Sequence, residues 1–209
     1  SGAKPGIMPG AYFVNDYVPM LKGRKVGLVA NHTSLVKHTH LLDTLLSLHV
    51  NVIKVFGPEH GFRGDTPDGK EINSNIDPKT GIAIISLYGS HKKPTKTDLQ
   101  DIDIMIFDIQ DVGARFYTYI STLTYVMEAC AENDIPLLVL DRPNPNGYYI
   151  DGPVLEPAYT SFIGLHPVPV VYGMTIGEYA AMVKGEKWMK CTQNCKLTII
   201  KCRNYTHKS

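Results

Sequence analysis

The chain has 209 residues, 44% of them hydrophobic and 20% charged, with 21 Lys and Arg against 20 Asp and Glu. A chain of this size and make-up can bury a full core without disulfides or metals, and it lies outside the disordered range. A formal charge of +1 lacks the basic excess that nucleic acid or an anionic membrane surface demands, so neither is expected as a partner.

No membrane span is expected either. The longest apolar runs, such as Ile102 to Ile109, are broken by Asp103 and Asp108 and fall far short of the about 18 residues that a span requires. Ser1 to Gly6 is polar and turn-rich and reads as a processed end or a vector remnant, silent about any export signal upstream. Four cysteines are too few for a disulfide scaffold.

Short apolar runs alternate with segments of helical period along the chain. Lys25 to Ala30 reads as a buried strand, and Leu41, Leu42, Leu45, Leu46 and His49 as a helix face. Asn51 to Phe56 is a second strand, stopped by Gly57-Pro58. The polar stretch from Glu59 to Gly81 is too long for a plain connector and is a functional-loop candidate. Ile82 to Leu87 is a third strand, and the capping-box spacing of Thr97 and Gln100 predicts a short helix.

Ile104 to Phe107 is an all-apolar strand, followed by a helix face of Ile120, Leu123, Met127 and Cys130. Leu137 to Leu140 is the fifth strand and Val168 to Tyr172 the sixth. Thr175 and Glu178 form a capping box that opens a helix through Lys184, and Leu197 to Lys201 is a last strand suited to an edge. Strands buried on both faces and alternating with helices predict an α/β fold, a mostly parallel sheet with helices on both faces. No repeat, low-complexity segment or linker divides residues 1–209, which read as one domain.

In open α/β sheets, sites form outside the carboxyl ends of the strands. Those ends carry Asn31, Glu59, then Asp108, Gln110, Asp111 and Arg115, then Asp141, Arg142 and Asn144. Each alone could be a turn former or a helix cap; four strand ends together predict a site. Dinucleotide and P-loop chemistry lack their glycine motifs, and no nucleophile elbow is present. Asp101-Ile-Asp103 resembles an aspartyl-phosphate motif but precedes its strand instead of following it. No cofactor is expected.

The sharpest local feature is Phe56-Gly57-Pro58-Glu59-His60-Gly61-Phe62-Arg63-Gly64. Pro58 fixes its φ and the flanking glycines permit a tight turn, which displays Glu59 at a strand end between two phenylalanines. Apolar rings keep a carboxyl group protonated to higher pH, as a general acid requires, although a capping glutamate in a loop would have the same neighbours.

GLVANHTS (27–34), FGPEHGFRG (56–64), IDPKTG (76–81), FDIQDVGARFYTYIST (107–122), LDRPNPNG (140–147), DGPVLEP (151–157) and GMTIGE (173–178) occur in this order. Together, and from about Lys22 to Glu186, they resemble the NamZ-like exo-β-N-acetylmuramidases, glycoside hydrolase family 171. The resemblance implies a Rossmann-like domain without a nucleotide and removal of terminal N-acetylmuramic acid from peptidoglycan fragments. It implies Glu59 as the acid, and it places His60, Asn31, Asp111, Arg115 and Asp141 on family positions. Lys70-Glu71 stands where Gly-Glu is expected. Family members continue into an α+β domain that helps form the cleft, so this chain reads as the N-terminal catalytic domain, with that second domain as a partner. The substrate implied is a muropeptide or muramyl disaccharide, met by an exported bacterial protein (periplasmic, lipoprotein or secreted).

Within that reading, Glu59 protonates the glycosidic oxygen and a second carboxylate, Asp111 before Asp108, works at the anomeric carbon. Arg63 or Arg115 would grip the lactyl carboxylate of muramic acid with paired hydrogen bonds, unless each simply pairs with a loop carboxylate such as Asp65 or Asp111. Asn31, Asp108, Gln110, Tyr117, Asp141, Arg142 and Asn144 complete the candidate sugar contacts, and Tyr117 and Tyr119 could as well be core. The other reading is a muramyl-binding module without catalysis.

Cys191, Cys195, Cys202 and His207 could be drawn as a zinc site, but their irregular spacing favours a disulfide between two of the cysteines, or free thiols. Cys130 reads as core. His32, His38 and His40 straddle a strand end and a helix start, and no metal is assigned to them.

Overall fold

The computed structural model describes residues 6–58, 62–63, 75–110, 116–143, 151–154, 169–171 and 174–204. After a 3₁₀ turn at Gly10–Tyr12, the described elements in chain order begin with α1 (Val14–Tyr17), a second 3₁₀ turn (Val18–Leu21), β1 (Val26–Ala30), β2 (Leu35–Val36) and β3 (Thr39–His40). They continue with α2 (Leu41–Ser47), β4 (Val52–Gly57), β5 (Ala83–Ser86), β6 (Ile104–Asp108) and α3 (Phe116–Glu132). The last are β7 (Leu137–Leu140), β8 (Asp151–Val154), β9 (Pro169–Val171), α4 (Ile176–Gly185) and β10 (Leu197–Ile200).

Six strands make one sheet in the order β10-β7-β6-β1-β4-β5, and every pairing in it is parallel. The order reverses beside β1, since β4 lies on one side of it and β6 on the other, which is the doubly wound, Rossmann-like arrangement. Period-two side chains sort the core into two layers. Met105 and Phe107 of β6 and Val139 of β7 face α3 and α4, where Leu123, Met127, Tyr179 and Val183 pack. Ile104, Ile106, Leu138 and Leu140 face the other way, toward α2 and the N-terminal helical turns, with Leu41, Leu45, Tyr17 and Leu21. Strands wholly buried on both faces need side chains that are apolar throughout, and β6 reads Ile-Met-Ile-Phe before its terminal Asp108. Each such side chain contributes about 1.5–3 kcal/mol when removed from water.

Three expectations need correction. Pro169–Val171 is a strand, but it pairs antiparallel with β8 in a separate ribbon, and β10 takes the sixth place in the main sheet, at its edge. A short apolar run announces a strand without naming its partner. The segment at 97–100 is a turn, not a helix, because the reciprocal bonds belong to Thr95 and Asp98. The Asp98 carboxylate accepts the Thr95 N–H at 2.9 Å, the Thr95 hydroxyl accepts the Asp98 N–H at 3.1 Å, and Asp101 ends the turn at φ 68°. The four cysteines are free thiols, with Cys130 and Cys195 buried in the α3/α4 layer, so the expected disulfide is not formed. Burial pushes the Cys195 thiol up to about 11, which makes it a core residue rather than a reactive one.

Candidate active site

Strand order reverses between β1 and β6, the place where open α/β sheets form their sites, and the chain gathers polar side chains at the carboxyl ends of these two strands. Asn31, the first residue after β1, is fully buried, and its Oδ1 accepts the Thr33 N–H at 2.8 Å and the Thr33 hydroxyl at 2.5 Å. Its amide nitrogen reaches the Tyr119 hydroxyl at 3.3 Å. The Thr33 hydroxyl oxygen in turn accepts the Gln110 N–H at 3.0 Å, and the Ser34 hydroxyl donates to the Asp108 carbonyl. The NHTS turn thus ties the end of β1 to the end of β6, using Asn31 in its turn-forming capacity.

His40 closes this turn from the other side. Its Nε2 lies 2.8 Å from the Asn31 carbonyl, and its Nδ1 accepts the Leu42 N–H at 3.1 Å, which caps α2 and assigns the proton to Nε2. Burial pushes its pKa down, against the opposite pull of the Asn31 carbonyl, and the ring is held neutral.

Asp108 and Arg142 form a buried ion pair at the same end of the sheet. Nε donates to Oδ1 at 2.5 Å and Nη2 to Oδ2 at 2.9 Å, and Nη2 also donates to the Leu35 carbonyl at 2.8 Å. Their side chains are 0% and 5% exposed. Asp141 is buried too, with Oδ2 accepting the Thr175 hydroxyl at 2.7 Å and Oδ1 accepting the N–H groups of Gly177 and Arg142, both at 2.9 Å. It serves the N-terminus of α4, beside the Thr175–Glu178 capping box. Gly177 is glycine because a Cβ there would come within 2.8 Å of the Asp141 carboxylate. Burial pushes the Asp141 carboxyl up, and these three donors oppose that rise.

The structure therefore brings Asn31, Asp108, Gln110 and Arg142 together, with Asp141 alongside, but as the framework under the rim. Gln110 alone of these is half-exposed, and its Nε2 donates to the Pro143 carbonyl at 2.6 Å. The expectation that Asn31, Asp108, Asp141 and Arg142 touch sugar meets side chains that are buried and bonded within the protein.

Arg63 stands apart from this group. Its Nε and Nη2 donate to the two oxygens of Asp77 at 2.8 and 3.0 Å, and Nη1 and Nη2 donate to those of Asp43 at 2.9 and 3.1 Å. The ion-pair role weighed against carboxylate recognition is the one Arg63 has, with Asp43 and Asp77 in place of Asp65 or Asp111. Lys79 adds a bond to Asp43 at 3.0 Å. Hydrogen bonds from Arg63 hold the Asp43 carboxyl at about 2. Burial pushes Asp77 up, but the bonds from Arg63 and Thr80 outweigh it and keep that carboxyl below its ordinary value.

Glu59, His60, Lys70, Glu71, Asp111, Arg115 and Asn144 lie outside the described residues, as does the side chain of Tyr117. In the sequence, Glu59 follows Pro58 past β4 and Asp111 follows Gln110 past β6. Among the described residues no cluster of three or more His, Cys, Asp or Glu could hold a metal ion, and no helix is long and apolar enough to cross a membrane. Sequence reasoning passed over Thr33, Ser34, Asp43 and Asp77 as site-building residues. Asp43 carries no motif signal, whereas Asp77 sits in IDPKTG, one of the motifs on which the resemblance rests.

Residues 26–209 match the family described as Exo-beta-N-acetylmuramidase NamZ, N-terminal. The peptidoglycan beta-N-acetylmuramidase NamZ of Bacillus subtilis (strain 168) is 46% identical over 98% of this chain and 50% of its own length. Two crystal structures of DUF1343 family proteins from Bacteroides fragilis superpose with TM-scores of 0.87 and 0.86, at 46% and 40% identity. They cover 98% and 97% of this chain, and 54% and 52% of their own. The chain thus spans about half the length of the relatives it matches.

Proposed function

Because the chain belongs to the exo-β-N-acetylmuramidase NamZ family, as the N-terminal part of that family's proteins, we propose that it is the sheet-bearing half of a glycoside hydrolase that releases N-acetylmuramic acid from the non-reducing ends of peptidoglycan fragments. The observation that carries this is the match over residues 26–209 together with the reversal of strand order between β1 and β6, beside β4, at whose end the FGPEHGFRG motif begins.

Glu59 is the general acid that protonates the leaving glycosidic oxygen, and Asp111, one residue beyond Gln110, is the partner carboxylate at the anomeric centre. Arg115 takes the lactyl carboxylate, since Arg63 spends its fork on Asp43 and Asp77. His60 joins Glu59 and Asp111 in the catalytic group, and Tyr117 and Asn144 contribute sugar contacts. The buried turn of Asn31, Thr33 and Ser34 and the Asp108–Arg142 pair fix the ends of β1 and β6, and Gln110, tied to that turn, precedes Asp111 in the sequence. The remaining half of a relative-length protein forms the other wall of the cleft. A peptidoglycan substrate places the working protein outside the cytoplasmic membrane.

The test is hydrolysis of a chromogenic N-acetylmuramide by the relative-length protein and its Glu59→Gln variant. Loss of turnover with binding retained supports the acid. Binding without turnover in both proteins would make the chain a muramyl-binding module instead.

A further inference from the structure

Two fixed points, Gly57 and Phe62, bracket Glu59 in the sequence. At the first, the Gly57 carbonyl at the end of β4 accepts the Leu87 N–H at 2.9 Å. At the second, Phe62 is 4% exposed and lies against Gly57, so that a Cβ placed there would meet Phe62 N at 3.5 Å and Phe62 Cβ at 3.6 Å. The Phe62 ring packs on the ring of His40, 4.6 Å between centroids, and the Arg63 guanidinium carbon stands 5.6 Å from the same ring centre.

Arg63 then ties this second point to two further elements. Asp43 is on the first turn of α2. Asp77 is held in its own turn, with its N–H on the Ile82 carbonyl at 2.8 Å and its Oδ2 accepting the N–H and hydroxyl of Thr80 at 3.1 and 2.5 Å. Four guanidinium N–H bonds thus run as two forks in two directions, a geometry that only a planar arginine supplies. The charges of Arg63 and Lys79 balance those of Asp43 and Asp77, leaving no net charge for an anionic ligand.

We infer that Asp43 and Asp77 are positioning residues for Glu59, acting through Arg63. This rests on the proposed role of Glu59 as the acid and adds what holds the acid in register. An acid on a strand-end loop must be placed to within a fraction of an ångström, and a misplacement of about 1 Å can cost about a hundredfold in rate. Gly57 is anchored two residues before Glu59, and the double fork anchors Arg63 four residues after it.

The experiment measures kcat and KM on a chromogenic N-acetylmuramide, with thermal unfolding in parallel, in the relative-length protein. Asp77→Asn should lower kcat by about ten- to a hundredfold with KM nearly unchanged, in a protein still folded at the assay temperature. Arg63→Lys should fall as far, because an ammonium keeps the charge and loses the fork. On the residual turnover of Glu59→Gln, followed at high enzyme concentration, Asp77→Asn should cost nothing further, since no acid remains to be placed. Equal losses in both backgrounds, or full kcat in a folded Asp77→Asn protein beside an inactive Glu59→Gln one, would overturn the inference alone. Full turnover by Glu59→Gln would remove the acid assignment and this inference with it. Should Asp77→Asn fail to fold, Asp43→Asn, at the more exposed of the two carboxylates, decides by the same criteria.

Discussion

Single residues beneath the rim do work that their sequence positions do not announce. Asp108 and Arg142 are fully paired away from water, so removing either leaves an uncompensated buried charge. Arg142→Ala and Asp108→Ala should each destabilise the fold by about 3–5 kcal/mol, read as a lower urea midpoint at unchanged slope. Gly10 is a second such position. Its N–H donates to the Asp141 carbonyl at 2.8 Å, and a Cβ would lie 2.1 Å from the Ile200 carbonyl oxygen. Gly10→Ala should therefore cost about 1–3 kcal/mol in the same measurement, while Gly23→Ala, in open space but at φ 72°, pays only for its backbone angle. Their place at strand ends was legible for Asn31, Asp108 and Asp141, because an apolar run that stops at a polar residue marks the end of a strand. Their burial was not, because it depends on His40, Arg142 and Thr175, which arrive from elsewhere in the chain.

At the scale of elements, α2 and the 75–82 turn are joined through charge, and pH should separate them. The Asp43 carboxyl sits at about 2 when folded against an ordinary 3.8, so its stabilisation, on the order of 2 kcal/mol, is present above about pH 4 and lost as pH falls toward 2. His40 is held neutral, so its share is full above the ordinary histidine range and drains away as pH falls below about 6.5. Asp141 runs the other way: its raised carboxyl stabilises the fold below about pH 4 and gives that up as pH rises. Urea unfolding at pH 7.5, 5.5 and 3 should show stability falling in two stages, and Asp43→Asn should shrink the lower stage, to which Asp77 also contributes, while leaving the upper one intact. The strands β1, β4, β6 and β7 were legible as unbroken apolar runs, and α4 by its Thr175–Glu178 box. The two-residue ladder of β2 and β3 escaped because so short a pairing leaves no periodicity to read. The pairing of β9 escaped because register with β8 is decided across the intervening chain.

For the whole molecule, two packed layers around a six-stranded sheet are enough for cooperative unfolding of this chain. Catalysis is a separate demand. With about half the length of its relatives, the chain should hydrolyse an N-acetylmuramide at least tenfold more slowly than the relative-length protein, and equal rates would show the sheet half to be sufficient. The N-terminal strap has a consequence for how such a molecule is made. Met8 and Arg203 exchange backbone bonds at 2.9 Å in both directions, Gly10 is stitched to Asp141, and Arg203 reaches Asp16 at 2.6 Å and the face of Phe13 at 3.8 Å. Nearly the first described residues are thus fastened to nearly the last. On a ribosome, residues 8–16 emerge long before Asp141 and Arg203 exist, so the strap can close on both only once nearly all of the described chain has been made. It is the clasp of the fold, made before the partners it closes on.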